Sequence, residues 1–178
     1  IEKGIPLLTG MMFGYNFLDY SKATYISKND YKKIHSQYEP EENDIVITKI
    51  GTIGNVNYLT KFDIPIAIHC NSALLRFSTE LDSLFSFYFC KSSLFQNQLK
   101  SLKGQSIQEF VSLNRLGEIL VLLPLKSIID SFNEKTLAIF NYQFSISKEI
   151  QELSALRNTL LPLLMNGQVT LNSCLSHD

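Results

Sequence analysis

A chain of 178 residues, 45% apolar and 19% charged, has the composition of one globular domain, or of one domain with an appendage. Its formal net charge of −1 speaks against a sequence-blind nucleic-acid binder, which would carry a basic excess. No apolar run approaches the roughly 18 residues of a membrane helix, the amino terminus lacks a signal peptide's basic start and apolar core, and Cys70, Cys90 and Cys174 are too few and too scattered for a disulfide framework, so a cytoplasmic protein is expected.

Residues 1–35 read as irregular loop and short strand, punctuated by Gly4, Pro6, Gly10 and Gly14. A turn follows from Pro40 to Asp44. The β-branched run Asp44 to Ile50 predicts a strand, Gly51 to Asn55 a tight glycine turn, and Val56 to Leu59 a second strand. Ile64 to Phe77, entered by Pro65, predicts further strand. Leu81, Leu84, Phe85, Tyr88, Phe89, Leu94, Phe95, Leu99 and Leu102 mostly follow helical spacing and predict one helix over 81–102, stopped by Gly104. A loop over 105–118 leads to the apolar run Ile119 to Leu123, which predicts a buried strand ended by Pro124.

The character of the chain changes after that proline. Ser127 to Leu161 contains neither glycine nor proline, and Phe132, Ile139, Ile146, Leu153 and Leu160 recur every seventh residue, with Tyr142, Ile150 and Leu156 beside them. A sustained heptad repeat predicts a coiled-coil helix, ended by Pro162 and Gly167. The competing reading is a long amphipathic helix packed on its own domain. No other segment is long enough to run beside it, so a partner helix from another chain, or from another part of a longer one, is expected.

Charge is less even than the total suggests. Lys22, Lys28, Lys32 and Lys33 crowd one stretch, and Lys91, Lys100, Lys103 and Arg115 another, with Glu39, Glu41, Glu42 and Asp44 between them. Catalytic patterns are absent. His35, His69 and His177 form no metal-ligand pair with a cysteine, no Gly-Lys-Ser/Thr follows Gly51–Gly54 to make a phosphate loop, and there is no nucleophile elbow. No metal, cofactor or catalytic residue is assigned to this chain.

Three segments carry a resemblance. Asn43 to Val56 is similar to a "G-D-I-l-i-t-x-x-G-t-x-G" strand–turn–strand, with Asn43 in place of the usual glycine. Gly104 to Gln108, leading through Leu113 and Leu116 to Ile119–Pro124, is similar to "G-x-x-q-x-x-i…l…i-x-i-P". Glu152 to Val169 resembles "L-x-x-L-R-d-x-L-L-P-x-L-x-x-G-x-i". In this order they resemble the specificity subunit of type I restriction–modification systems, and Gly4 to Leu8 resembles a stretch that normally follows an additional opening segment. The resemblance implies an α+β fold: a mixed or antiparallel-sheet target-recognition domain over 1–125, beginning inside the domain, then a coiled-coil spacer helix and tail over 126–170.

It further implies non-catalytic, sequence-specific recognition of one half of a split double-stranded DNA target. Methyltransferase and restriction subunits would be the protein partners, and S-adenosylmethionine would be bound only by the methyltransferase. The helix would pair with a second conserved helix or a second copy through Phe132, Ile139, Ile146, Leu153 and Leu160. Candidate DNA contacts are Lys49, Thr52 and Asn55 on the glycine turn, since glycines let backbone approach phosphate. Lys103, Gln105 and Ser106 are added because glutamine pairs with adenine and lysine reaches guanine or phosphate, and Lys28 and Lys32 as a phosphate-contacting patch. Tyr15 and Tyr25 are expected to pack rather than stack. The rival readings are the recognition portion of a fused restriction–methyltransferase enzyme, a coiled-coil assembly or adaptor protein, and a single-strand RNA binder of the GxxG class. The last needs helices beside Gly51–Gly54, where β-branched runs stand instead.

Overall fold

The computed structural model describes residues 4–77, 82–102 and 110–168. The first sheet has the order β2-β1-β5, with β1 (Ile5–Leu8) antiparallel to β2 (Thr24–Ile26) and parallel to β5 (Ala67–Ile68). The second is antiparallel, with β3 (Ile45–Thr48) between β4 (Val56–Tyr58) and β6 (Ser72–Leu75). Between β2 and β3 lies α1 (Lys28–Ile34). After the sheets come α2 (Ser83–Lys91), α3 (Ser93–Ser101), the single turn α4 (Leu113–Leu116) and the long α5 (Lys126–Met165). The fold is α+β, with mixed and antiparallel sheets and a long terminal helix.

The second sheet is the middle layer, and that explains the unbroken apolar run of β3. Successive side chains of a strand point to opposite faces. Ile45 and Ile47 pack toward Phe87, Cys90, Phe95 and Leu99 of the helices, whereas Val46 packs toward Leu8, Ile66 and Ile68 of the first sheet side. All four residues of β3 are buried. Burial pushes the Cys90 thiol up to about 12, so it stays protonated and acts as a small core residue.

Several expectations need correction. The helix expected over 81–102 is two helices. Ser92 ends α2 and, with its hydroxyl accepting from Phe95 N–H at 3.3 Å, starts α3. The stop expected at Gly104 and the start at Leu81 lie outside the described residues. Lys28–Ile34 is a helix rather than loop, capped when Ser27 Oγ accepts from Asp30 N–H at 3.1 Å and donates to the Asp30 carboxylate at 2.7 Å. Ile119 to Leu123 forms no strand. Leu120, Leu122 and Leu123 are exposed, and the Gln98 side-chain amide bonds both backbone groups of Leu120 at 2.9 and 3.0 Å, taking the place a ladder strand would fill. Pro162 lies inside α5, which runs three residues further to Met165.

Within the acidic turn, Glu41 and Asp44 form an ion-pair cluster with Arg76. Arg76 bonds buried Asp44 through two nitrogens at 2.7 Å and Glu41 at 2.9 Å, and the Asp44 carboxylate accepts from Glu41 N–H at 2.7 Å. These bonds push the Arg76 pKa further up and keep it charged.

His35 joins α1 to the first sheet. Its ring is buried, Nδ1–H donates to the Tyr38 carbonyl at 3.1 Å, and Nε2 accepts from Ile68 N–H at 3.0 Å. Burial holds its pKa below the ordinary histidine value, and a proton on Nε2 would displace the Ile68 bond. Since the folded pKa is the lower one, the unfolded chain protonates first. Stability is therefore present above the unfolded value of about 6.5 and is lost as pH falls through the folded value. Thermal unfolding midpoints of the native chain should drop more steeply between about pH 7 and 5 than those of His35→Gln; equal slopes would show that His35 does not carry this linkage.

Candidate nucleic-acid interface

The turn joining β3 to β4 is built to be rigid. Gly51 and Gly54 have φ of +78° and +96°, a region that side chains with a Cβ rarely adopt. Buried Thr48 staples the turn: its hydroxyl donates to the Thr52 carbonyl and accepts from Asn55 N–H at 3.0 Å. Its backbone closes the loop with Asn55 O and Gly54 N–H, each at 3.0 Å. From the helix side, the Gln96 amide donates to the Gly54 carbonyl at 3.0 Å and to the Cys90 carbonyl at 2.8 Å. A Cβ on Gly54 would stand 2.6 Å from Gln96 Oε1, so a side chain there would push aside the amide that ties the turn to α3, on top of the strain of its positive φ.

This frame presents Thr52 and Asn55 to solvent, with Lys49 half-buried at its base. The three turn residues picked from the sequence are therefore brought together. Phe110 bridges to Ile50, and Val111 N–H donates to the Lys49 carbonyl at 2.9 Å, so the chain that follows Lys103, Gln105 and Ser106 runs beside the turn. Those three residues themselves lie outside the described residues. Lys28 and Lys32 are exposed on α1, which packs against β5 of the first sheet; a different layer carries them from the one that carries the turn.

Sequence reasoning missed two neighbours. Asn71 accepts from the backbone of both Lys49 and Ile50, at 2.8 and 3.3 Å, so the His69–Asn71 loop flanks the turn; nothing in its composition marked it. The second is the Gly14–Asn16 loop. Gly14, Tyr15, Gly54, Asn55, Lys91 and Gln96 line one open cleft of about 310 Å3. Lys91, grouped by the sequence with a surface basic patch, points into this loop instead. Its ammonium donates to the Tyr15 carbonyl and Asn16 Oδ1 and lies 4.4 Å from the Tyr15 ring centre. Burial pulls the Lys91 pKa below the usual lysine range.

On α5 the heptad row divides. Phe132 packs edge-on against Phe85 and Tyr88 of α2, both at 5.7 Å between ring centres, so it belongs to the intramolecular contact and not to a free seam. Ile139, Ile146, Leu153 and Leu160 are exposed. The reason is geometric: on a straight helix a heptad row drifts about 20° per repeat, or about 80° from Phe132 to Leu160. The early end of the row turns toward the domain and the late end away from it.

Among the described residues, no group of histidine, cysteine, aspartate and glutamate side chains could hold a metal ion, and no helix is long and apolar enough to cross a membrane. A stapled turn with a lysine, a hydroxyl and an amide at a domain edge is suited to contact a polyanion and base edges. The family described as the type I restriction modification DNA specificity domain matches residues 6–156. The chain belongs to this family. It is a DNA target-recognition domain of that type. The match ends inside α5, so Leu160, Leu161 and Pro162 lie beyond it. A chain from a solved structure on complex assembly and conformational transition of the type I R-M system is 17% identical, with a TM-score of 0.39. That likeness covers 85% of this specificity domain and 36% of the other chain. No curated protein matches.

Proposed function

We propose that this specificity domain reads one half of a split duplex target without catalysis of its own, and carries methyltransferase and restriction subunits to it. Lys49, Thr52 and Asn55 are the primary contacts, joined by Lys103, Gln105 and Ser106 from the adjoining segment and by Lys28 and Lys32 on the backbone. S-adenosylmethionine is assigned to the methyltransferase partner. One observation carries the reading: Thr48 and Gln96 fix a glycine turn from below and leave its polar side chains outward, which is the preorganisation a base reader needs. The exposed apolar row of α5 is the surface for a second conserved helix, or for a second copy of the chain.

Selection from a randomised duplex pool, followed by gel-shift titration, tests it. Lys49→Glu should weaken binding to every selected duplex and lower the salt slope by about one, as a lost phosphate contact does. Asn55→Ala should instead cost roughly 1–3 kcal/mol at one base position. Unchanged binding in both variants would overturn the assignment of the turn.

A further inference from the structure

We propose that Tyr15 is a stacking platform for a DNA base, displayed beside the Gly51–Asn55 turn; the inference rests on the DNA-reading role proposed above. A large apolar side chain on a surface loop usually folds down onto its neighbours, and Tyr15 does not: it is 84% exposed. The residues that follow it in the loop are nevertheless anchored. Asn16, only 4% exposed, donates from its side chain to Gln143 Oε1 of α5 at 2.8 Å, and its carbonyl accepts from Tyr58 N–H of β4 at 3.2 Å. Phe17, the next residue, is buried between Phe140 and Phe144, each at 5.1 Å. A Cβ on Gly14 would stand 2.4 Å from the Phe17 carbonyl, so the backbone doubles back tightly and leaves Tyr15 at the tip.

The ring has two faces, and they are treated differently. Lys91 Nζ sits 4.4 Å from the ring centre and also bonds the Tyr15 carbonyl, which holds the ring upright by cation–π attraction. The side chain as a whole is otherwise largely open to solvent, at 84% exposed. A flat ring fixed at a protein edge, sharing a cleft with Gly54 and Asn55, is suited to stack on a base face or to wedge at a partly unstacked step. The same ammonium leaves a positive charge under the cleft, where a phosphate beside that base would lie. Stacking tolerates any base, so Tyr15 supplies affinity and depth of insertion, while the turn supplies the choice of sequence.

The test uses the full chain and the short duplexes that the native protein selects from a randomised pool. Tyr15→Ala should weaken binding about tenfold and Tyr15→Phe less than about twofold, since phenylalanine keeps the stacking face. The slope of log affinity against log salt should not change in either, because no phosphate contact is lost. The unfolding midpoint should stay put, the side chain being exposed. If Tyr15→Ala binds as the native chain does while Lys49→Glu is weakened, the stacking role is wrong and the DNA reading stands. If Tyr15→Phe is as weak as Tyr15→Ala, the hydroxyl and not the ring makes the contact, and the proposal fails. A salt slope lowered in Tyr15→Ala also overturns it, since the effect then runs through the charge of Lys91. If the native chain selects no duplex, both this proposal and the one it rests on fall.

Discussion

Phe140→Ala should lower the unfolding free energy by about 3–5 kcal/mol, the range for truncating a buried aromatic, and should loosen α5 from the domain. Phe140 is 6% exposed and packs against rings from three other segments: Tyr58 of β4 at 5.0 Å, Phe17 at 5.1 Å and Phe87 of α2 at 6.0 Å. Its removal opens a cavity where sheet, helix pair and long helix meet. Edge-to-face ring pairs add about 0.5–1.5 kcal/mol each beyond area burial, so the loss belongs at the upper end of the range. The same contact fixes Asn16 through its bond to Gln143, so loosening α5 also releases the loop that carries Tyr15. Denaturant titration by circular dichroism measures the change. A loss below about 1 kcal/mol would mean that the helix is not held by this cluster.

The second large effect concerns assembly. Ile146→Asp with Leu153→Asp should convert a self-associating chain into a folded monomer. At 1.5 Å per residue, the 40 residues of α5 span about 60 Å. Contacts with the domain run along one side through Ile129, Phe140 and Phe144 to Gln151, which donates to the Leu18 carbonyl at 2.8 Å. Roughly 100° round the helix, at 100° per residue, lies the second apolar row. There Ile139, Ile150 and Leu153 are 57–58% exposed. A stripe this long is unfavourable in water without a partner, and a two-fold antiparallel pairing of two copies would cover both rows equally. Aspartates in the row would be buried unpaired in the assembly, yet they would face solvent in the monomer and leave the core untouched. Sedimentation of both forms measures this. A native chain that stays monomeric at high concentration would refute self-association and leave the row to a different helix.

Much of the local structure is readable from the chain itself. The β-branched run of β3, the two glycines of the turn and the heptad row of α5 are local patterns. Each is dictated by short-range backbone preference or by periodicity; the structure has the strand, the glycine turn and the long helix where they are expected, while Phe132 leaves the heptad row for α2. Ser27 and Asp30 carry a helix-start signal of the same local kind, and α1 begins there. The single proline of α5 misled because a helix near its end tolerates a missing hydrogen bond when the flanking residues can still pair, as Asn166 N–H does with the Pro162 carbonyl at 3.0 Å.

What only the tertiary structure decided is which apolar surface faces what. Ile119–Leu123 has the composition of a buried strand, but Gln98, distant in sequence, takes up the Leu120 backbone and leaves the leucines outside. Ser92 splits an apolar helix because the chain must turn for both Phe87 and Leu99 to reach the same sheet face. Tyr15 reads as a packing residue, but in the fold it is 84% exposed, with Lys91, far along the chain, 4.4 Å from its ring centre. Phe132 reads as one of five equal heptad positions until helical drift turns it onto α2. Sequence patterns report period and polarity, which are properties of neighbouring residues. The partner of each apolar face is settled by long-range packing among segments the pattern does not connect.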